Sequence, residues 1–472
     1  VPRLKSHDVV MHHFHFFNQS ISLEQITNRL QHHFAGKMDQ IIDLNETFYQ
    51  RASISHIALA VSGGSDSMAL LSLASSYVKN KSLKLTVLTV DHRLRPEAAA
   101  EAQFVKDYCT KLKINHDTLT LDEFEKHPPV KAIQEKARDA RYEKLERKCA
   151  QIHASLLLLG QHFDDQLETF IMREKRKSDL YGLAVMPLMR ATRDILIARP
   201  MLDVSKNQIL QYCDSMSIPY ITDPSNENLT FERIRIRKTL SKEWLSQKNR
   251  IVPMMKQAIS VREKMDKSLF NFIDQHVSIS QYPCLKVSIS AFLDLEPDIA
   301  MRLLPKLTEM IQGRFSFFKK IKKENFYNKL KEISAKGSGF IVFGGCEFAI
   351  APLKKEGNAL YIYSEAGTPD SQMAHAQDGR SYEIIKGSSI LTRAWMNKTI
   401  CESALKALPA YVSISRFRKG LSVVMDQGDV VGIPELFLWR NKNGLLDHCQ
   451  NPPIKFAFSP EKVLLKMKFM DL

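Results

Sequence analysis

Residues Ile57–Ala74 read IALAVSGGSDSMALLSLA. An apolar run stops at Ser62, small and acidic residues follow through Ser67, and a helical apolar pattern begins at Met68. This is a buried strand, a tight turn and a helix. Gly63 and Gly64 permit positive φ and let the backbone approach a ligand without a Cβ in the way. Free N–H groups at the helix start, with the helix dipole, favour an anion. Ser62, Ser65 and Ser67 add hydroxyl donors, so the composition is that of a phosphate cradle. The Gly-Lys-Ser/Thr ending of a Walker loop is absent. Asp66 is the odd member, because a carboxylate beside phosphates repels them unless it serves a cation, and magnesium on a pyrophosphate is the fitting one. The competing reading is a capped helix start with ordinary Ser and Asp.

Working outward, residues 56–221 alternate apolar runs with helix-length segments. The runs are HIALAV, LKLTVLTV, HDTLTL, ASLLLLG and DILIARP. Between them lie DSMALLSLASSYVKN, EAAAEAQFVKDYCTKLK and IQEKARDARYEKLERKCAQ. Strands separated by helices predict an α/β fold with a doubly wound parallel sheet. Continuous Leu/Val/Ile runs suit strands buried on both faces. In such sheets ligands bind beyond the carboxyl ends of the strands, where SGGSDS sits. One more helix is expected within 200–220, ending before Pro219. The expected organisation is an N-terminal extension (1–54), a catalytic domain (55–240) and a helical connector (241–279). Smaller α+β C-terminal domains follow: a second domain (280–365) and a β-containing domain (366–472). EAGTPDSQMAHAQDG is read as the linker between these last two.

The chain has 472 residues, a net charge of +15, 44% hydrophobic and 25% charged residues. These are globular values for a protein of several domains. No apolar stretch reaches the roughly 20 residues of a membrane helix. MHHFHFFNQSIS lacks the apolar core of a signal peptide, and the start is read as nearer Met11 than Val1. The excess of Lys and Arg favours a phosphate-rich partner, with plain solubility as the bland alternative. None of the seven cysteines lies within metal-ligand or CxxC spacing of another, which argues against zinc sites and redox pairs. Scattered free thiols fit a reducing cytoplasm.

Ser62-Gly63-Gly64-Ser65-Asp66-Ser67 resembles the PP-loop of the N-type ATP pyrophosphatases. That family cleaves ATP between the α and β phosphates and adenylates an oxygen of its substrate. Four further stretches resemble one branch, the tRNA(Ile)-lysidine synthetases. VDHRLRPEAAAEAQFV, with Asp91, His92 and Arg95, is similar to their VDHGLR segment. IQEKARDARYEKL is similar to their QxxARxxRY helix, GQHFDDQLETFIMR to HHxDDQxET, and DPSNENLTFERIRIR to DxSNxDxxxxRNRIR. The match covers about 57–240. Gln161 stands where the family has the first His of its pair, and Ile234 where it has Asn. REKRKSDLYGL is a looser match to a further family stretch.

The resemblance implies an ATP-dependent ligase that joins L-lysine to carbon-2 of the wobble cytidine of tRNA(Ile) with a CAU anticodon. The tRNA is adenylated first, with release of pyrophosphate, and AMP leaves when the amine attacks. The product reads AUA instead of AUG and carries isoleucine identity instead of methionine. The implied cofactors are ATP and magnesium, the place is the cytoplasm without a membrane, and the chain acts as monomer or homodimer. ATP contacts are expected from Ser62, Gly63, Gly64, Ser65, Asp66, Ser67, Asp91 and His92, with Asp66 also on the metal.

Only on the order of one lysine in a thousand is neutral at pH 7. A carboxylate that holds the ammonium and accepts its proton answers that need. Asp165 and Glu168 are three apart on one predicted helix, and Asp164 is four from Glu168. These carry the lysine or proton-handling expectation; a solvated acidic helix start is the alternative. Arg138, read as catalytic, and Arg141 are expected on phosphate or RNA backbone, against surface arginines paired with Glu135 or Asp139. Arg233, Arg235 and Arg237 line one side if the segment is extended and spread around it if helical; they are expected on ATP or tRNA. REKRK and FFKKIKKENFYNKLK are either amphipathic helices with solvated basic faces or RNA-backbone surfaces. The rival functions are another PP-loop tRNA enzyme such as a thiolase, and a non-catalytic RNA-binding protein.

Overall fold

The computed structural model describes residues 23–46, 53–79, 81–91, 93, 97–121, 133–192, 195–222, 232–242, 244–279, 284–312, 318, 320–353 and 357–364, and short strands between 380 and 458. His92, Arg95, the segment 223–231 and the expected linker 365–379 lie outside the described residues. The chain divides into two compact units between Lys264 and Met265. Among the described residues no helix is long and apolar enough to cross a membrane.

The first unit runs α1 (Leu23–Leu44), β1 (His56–Ala60), α2 (Ser65–Val78), β2 (Lys84–Asp91), α3 (Glu97–Leu112), β3 (Asn115–Thr120), α4 (Ile133–Gln151), β4 (Leu156–Leu158), α5 (Phe163–Lys175) and α6 (Leu180–Leu183). It continues with β5 (Met189–Ala191), β6 (Leu196–Ala198), α7 (Lys206–Ser215), α8 (Glu232–Lys242) and the start of α9 (Trp244–His276). The sheet order is β3-β2-β1-β4-β6-β5. β1 pairs in parallel with β2 and β4, and β6 in parallel with β4. This is the expected doubly wound sheet. The three-residue edge strand β5 is antiparallel to β6; it is too short for a sequence pattern to announce.

The central strands are short apolar runs because both faces are covered. On one face Ala58, Leu88, Leu157 and Ile197 pack with Leu145 and Cys149 of α4. Residues 1–54 were set apart as an extension on sequence, yet α1 is built into this unit. Leu30, Phe34, Met38 and Ile41 form its buried stripe, each worth about 1.5–3 kcal/mol of burial. α1 packs on α2 and α7, with Phe34 edge-on to Tyr77 at 6.4 Å and Thr27 bonded to Ser215 at 2.6 Å. The buried Asp203 carboxylate accepts from His33 Nε2 at 2.9 Å and pairs with Lys37 Nζ at 3.1 Å.

The RIRIR segment is helical in α8, so Arg233 and Arg237, one turn apart, share a face and Arg235 lies off it. Ile236 and Leu240, one turn apart, are buried against Phe163, Leu167 and Phe170 of α5 and Ile251 and Met255 of α9. That apolar pair selects the helix over the extended alternative.

The second unit holds β7 (Val277–Ile279), β8 (Cys284–Ser288), α10 (Ile289–Leu293), α11 (Pro297–Gln312), α12 (Lys320–Ala335), β9 (Gly339–Phe343), β10 (Cys346–Leu353) and β11 (Gly357–Ser364). Its antiparallel sheet has the order β7-β8-β11-β10-β9. Phe292, Leu303, Leu307, Phe326, Leu330 and Phe348 form the core with it. The basic stretch within α12 is amphipathic: Phe326, Tyr327 and Leu330 are buried while Lys322, Lys329 and Lys331 are exposed. Further strands between 380 and 458 pair antiparallel, five of them in sequence order in one sheet.

Candidate active site

Strand order places the site. The chain moves one way from β1 to β2 and β3, and the other way to β4 and β6. The crevice between β1 and β4 is therefore the topological switch point of the sheet, where loops diverge and leave room for a ligand. The loops after β1, β4 and β6 and the segment after α7 meet there. Ile221 N–H donates to Gly63 O at 2.9 Å, and Phe163 N–H donates to Val204 O at 2.8 Å. His162 and Met201 form a parallel bridge.

The SGGSDS loop is locked from within. Ser62 N–H donates to Ser67 Oγ at 3.1 Å, and Ser67 O–H donates to Gly64 O at 2.9 Å. Gly63 has φ of 87°, a conformation that glycine adopts without the strain a Cβ would bring. A Cβ there would also stand 3.2 Å from Ile221. Gly64 is the N-cap of α2 and has no side chain to satisfy the first N–H groups. The helix start thus keeps donors for an anion. Gly160, after β4, packs directly on this start: a Cβ would lie 3.2 Å from the Asp66 carbonyl oxygen.

Five charged side chains converge at the loop. Lys206 Nζ donates to Asp66 Oδ1 at 2.6 Å and to Ser65 Oγ at 2.7 Å. His162 Nε2 lies 3.6 Å from Asp66 Oδ2 and from Asp165 Oδ2, and its Nδ1 lies 3.6 Å from Asp164 Oδ2. Asp165 accepts the His162 backbone N–H at 3.0 Å, and Asp164 accepts the Lys206 backbone N–H at 2.8 Å. Burial pushes the His162 imidazolium toward neutrality, but Asp164 and Asp66 outweigh it and raise its pKa to about 10. Burial works against the charge on Asp66, and His162 with Lys206 more than offsets it, so Asp66 titrates below the usual carboxylate range. Asp164 behaves alike: burial opposes its charge, and His162 and the Lys206 N–H win. At Asp66, Asp164 and His162 alike, burial opposes the charge and pairing outweighs it.

Glu168 is placed differently from its two neighbours. It is fully buried, with Arg237 Nε donating to its Oε1 at 2.7 Å. Its Oε2 has no partner among the described residues. Burial pushes its pKa up, with Arg237 pulling the other way. Arg233 and Arg235 are exposed on α8. Asp91 is buried at the end of β2 and accepts the Arg93 backbone N–H at 2.8 Å, so it holds the turn after that strand.

Arg138 and Arg141 meet at Tyr142, with guanidinium carbons 5.1 and 5.7 Å from its ring centre. Buried Arg199 joins them. Burial raises the Tyr142 phenol, but Arg138, Arg199, Arg141 and a hydrogen bond with Gln161 together bring it below its ordinary value. Gln161, where the sequence departs from the expected His, thus takes part in this cationic cluster and not in the carboxylate centre.

Sequence reading missed Lys206 and gave His162 no role. Lys206 is the first residue of α7, far along the chain from the loop it touches. The available signal was local: Ser205 and Gln208 form a capping box, which fixes where the helix starts. Its partner could not be read that way. Among the described residues no group of three or more His, Cys, Asp or Glu could hold a metal alone. One carboxylate beside a phosphate cradle instead fits magnesium bound jointly with substrate phosphates.

Comparison with known proteins identifies the family. A family model described as a PP-loop domain matches residues 30–244. The tRNA(Ile)-lysidine synthase of Hyphomonas neptunium is 33% identical over 264 residues, covering 55% of this chain and 69% of that protein. That of Rhodopseudomonas palustris is 37% identical over 257 residues, covering 52% and 72%. That of Rickettsia bellii is 30% identical over 329 residues, covering 68% and 72%. The strand–loop–helix, the carboxylates grouped after β4 and these similarities have one reading: the chain belongs to the tRNA(Ile)-lysidine synthase family.

Proposed function

We propose that the chain ligates L-lysine to carbon-2 of the wobble cytidine in tRNA(Ile) bearing a CAU anticodon, using ATP. The convergence of Asp66, His162, Asp164 and Asp165 on the phosphate loop carries this reading. Two demands, an adenylation and an amine attack, are served from adjoining residues.

In the first step the cytosine carbonyl oxygen attacks the α-phosphorus of ATP. An oxygen–phosphorus bond forms, and the bond to pyrophosphate breaks. The start of α2, with the Ser62 and Ser65 hydroxyls, holds the leaving phosphates, and Ser67, whose hydroxyl is bonded within the loop, keeps the cradle in shape. Asp66 would hold magnesium together with those phosphates, and magnesium when bound supplies neutralisation of their charge. Arg138 and Arg141 supply further positive charge, and Asp91 shapes the adjoining loop. In the second step the lysine amine attacks carbon-2, and the carbon–oxygen bond to AMP breaks. Asp164 and Asp165 attract the ammonium and orient it, and Asp165 accepts the proton that the amine must lose. Glu168 acts from beneath by fixing Arg237, which together with Arg233 on the same face meets tRNA or ATP phosphates, and Arg235 meets tRNA from another side of α8. The second unit and the strands beyond 380 contact the body of the tRNA. The chain works in the cytoplasm, where its substrates are.

The test is incorporation of labelled lysine into tRNA(Ile) with a CAU anticodon, given ATP and magnesium. Methionine tRNA with the same anticodon is the control. Label in the isoleucine tRNA alone is expected. AMP and pyrophosphate formation without lysine transfer would retain the adenylating fold and overturn the lysine assignment.

A further inference from the structure

The phosphate loop carries no cation of its own. A Walker loop holds a lysine within its own sequence to reach the terminal phosphates, and SGGSDS has a carboxylate instead. The fold brings an ammonium to the start of α2 from elsewhere. Lys206 Nζ lies 2.7 Å from Ser65 Oγ at the first residue of α2 and 2.6 Å from Asp66 Oδ1.

Its placement is over-determined. The Lys206 backbone N–H is fixed by Asp164 Oδ2 at 2.8 Å. The turn before it is anchored by Asp203, which His33 and Lys37 hold. α7 packs on both α1 and α2: Tyr212 hydroxyl bonds Ser72 Oγ at 3.0 Å, and Cys213 Sγ donates to Ser65 O at 3.7 Å. Such anchoring exceeds what a surface ion pair needs. The side chain is also only partly covered (35% exposed), which leaves it room to turn to a ligand seated in the cradle.

We propose that Lys206 is a further catalytic residue of the adenylation site, contacting the β and γ phosphates of ATP. It is the loop's cation supplied from a second helix. Without nucleotide it rests on Asp66 and offsets that charge. With nucleotide it turns to the phosphate oxygens, leaving Asp66 to the metal, and stays with the pyrophosphate as the α–β bond breaks. The proposal rests on the adenylation reading above.

The test compares the full-length wild type with Lys206→Gln, Lys206→Met and Lys206→Arg. Equilibrium dialysis with labelled ATP at excess magnesium gives ATP affinity, and the complete tRNA reaction gives KM for lysine. Loss of one charge-assisted contact predicts at least about tenfold weaker ATP binding in the Gln and Met variants. Lys206→Arg should stay within about threefold of wild type, since it keeps the charge. KM for lysine should not move. Folded Gln and Met variants with wild-type ATP affinity would overturn the proposal and leave Lys206 a structural partner of Asp66. A rise in the lysine KM with ATP affinity intact would overturn it also. If the wild type transfers no lysine yet loses ATP affinity on substitution, the substrate reading fails while the role of Lys206 stands.

Discussion

Arg237 Nε donates to Glu168 Oε1 at 2.7 Å, joining α8 to the floor of the helix that carries Asp164 and Asp165. Glu168 is fully buried, whereas about half of the Arg237 side chain is exposed (48%). The two ends therefore respond unequally to substitution. Arg237→Ala leaves a buried carboxylate without its cation and should cost about 2–4 kcal/mol, somewhat under a fully buried pair. Glu168→Gln returns a solvated cation to water and should cost about 1–2 kcal/mol. Urea unfolding of both singles and the double variant checks this. The double should be more stable than the sum of the singles implies. Lysine transfer should fall in both singles, with tRNA binding largely kept in Glu168→Gln.

Asp66→Ala should reduce pyrophosphate release by a factor of about 100–1,000, the scale of losing a main charge-positioning group. tRNA binding should stay nearly intact. Asp66→Asn adds a spectroscopic sign: with the carboxylate gone, the His162 pKa should fall from about 10 in the metal-free protein. NMR titration of the imidazole measures it.

Asp203 supplies a pH prediction. Burial opposes its charge, but His33 and Lys37 lower its pKa from 3.8 to about 2. A depressed carboxylate stabilises the fold above its unfolded pKa and loses that contribution as pH falls through its folded value. The window runs from about pH 4 down to about pH 2, and the size is roughly 2 kcal/mol. Wild type should exceed Asp203→Asn in urea midpoint at pH 5 and above. The gap should close on acidification across that window.

Gly160→Ala tests the contact between the end of β4 and the phosphate loop. The added methyl meets backbone, the Asp66 carbonyl at 3.2 Å and Ser67 Cα at 3.4 Å, which cannot swing aside. A stability loss of about 1–3 kcal/mol is expected, with weaker ATP binding because the start of α2 must shift. Thermal melts and dialysis read the two effects separately.

The strand–loop–helix at Ile57–Ala74 was legible because every cue there is local: an apolar run, glycines at the turn, a helical stripe after it. The carboxylates after β4 were legible as a motif for the same reason. Their division of labour was not, since burying Glu168 depends on α5 packing against α8. The alternation of Arg233, Arg235 and Arg237 hid the apolar pair Ile236 and Leu240, which sets the helix. Lys206 went unseen because its partner is remote in sequence. α1 was passed over because its stripe carries no chemistry. Five cysteines, Cys109, Cys149, Cys213, Cys284 and Cys346, are free and buried, as their scattered spacing implied.

The burial of α1 against α2 and α7 bears on how this enzyme is divided for laboratory work. A fragment begun at residue 55, where sequence pattern puts the catalytic domain, strips the cover from the helix that presents Lys206. It also leaves Asp203 with neither of its cations. Such a fragment would retain every motif and still be expected to precipitate or to bind nucleotide poorly. The smallest useful piece therefore begins before Leu23, and loss of activity in a shorter one would report on its missing helix instead of on its chemistry.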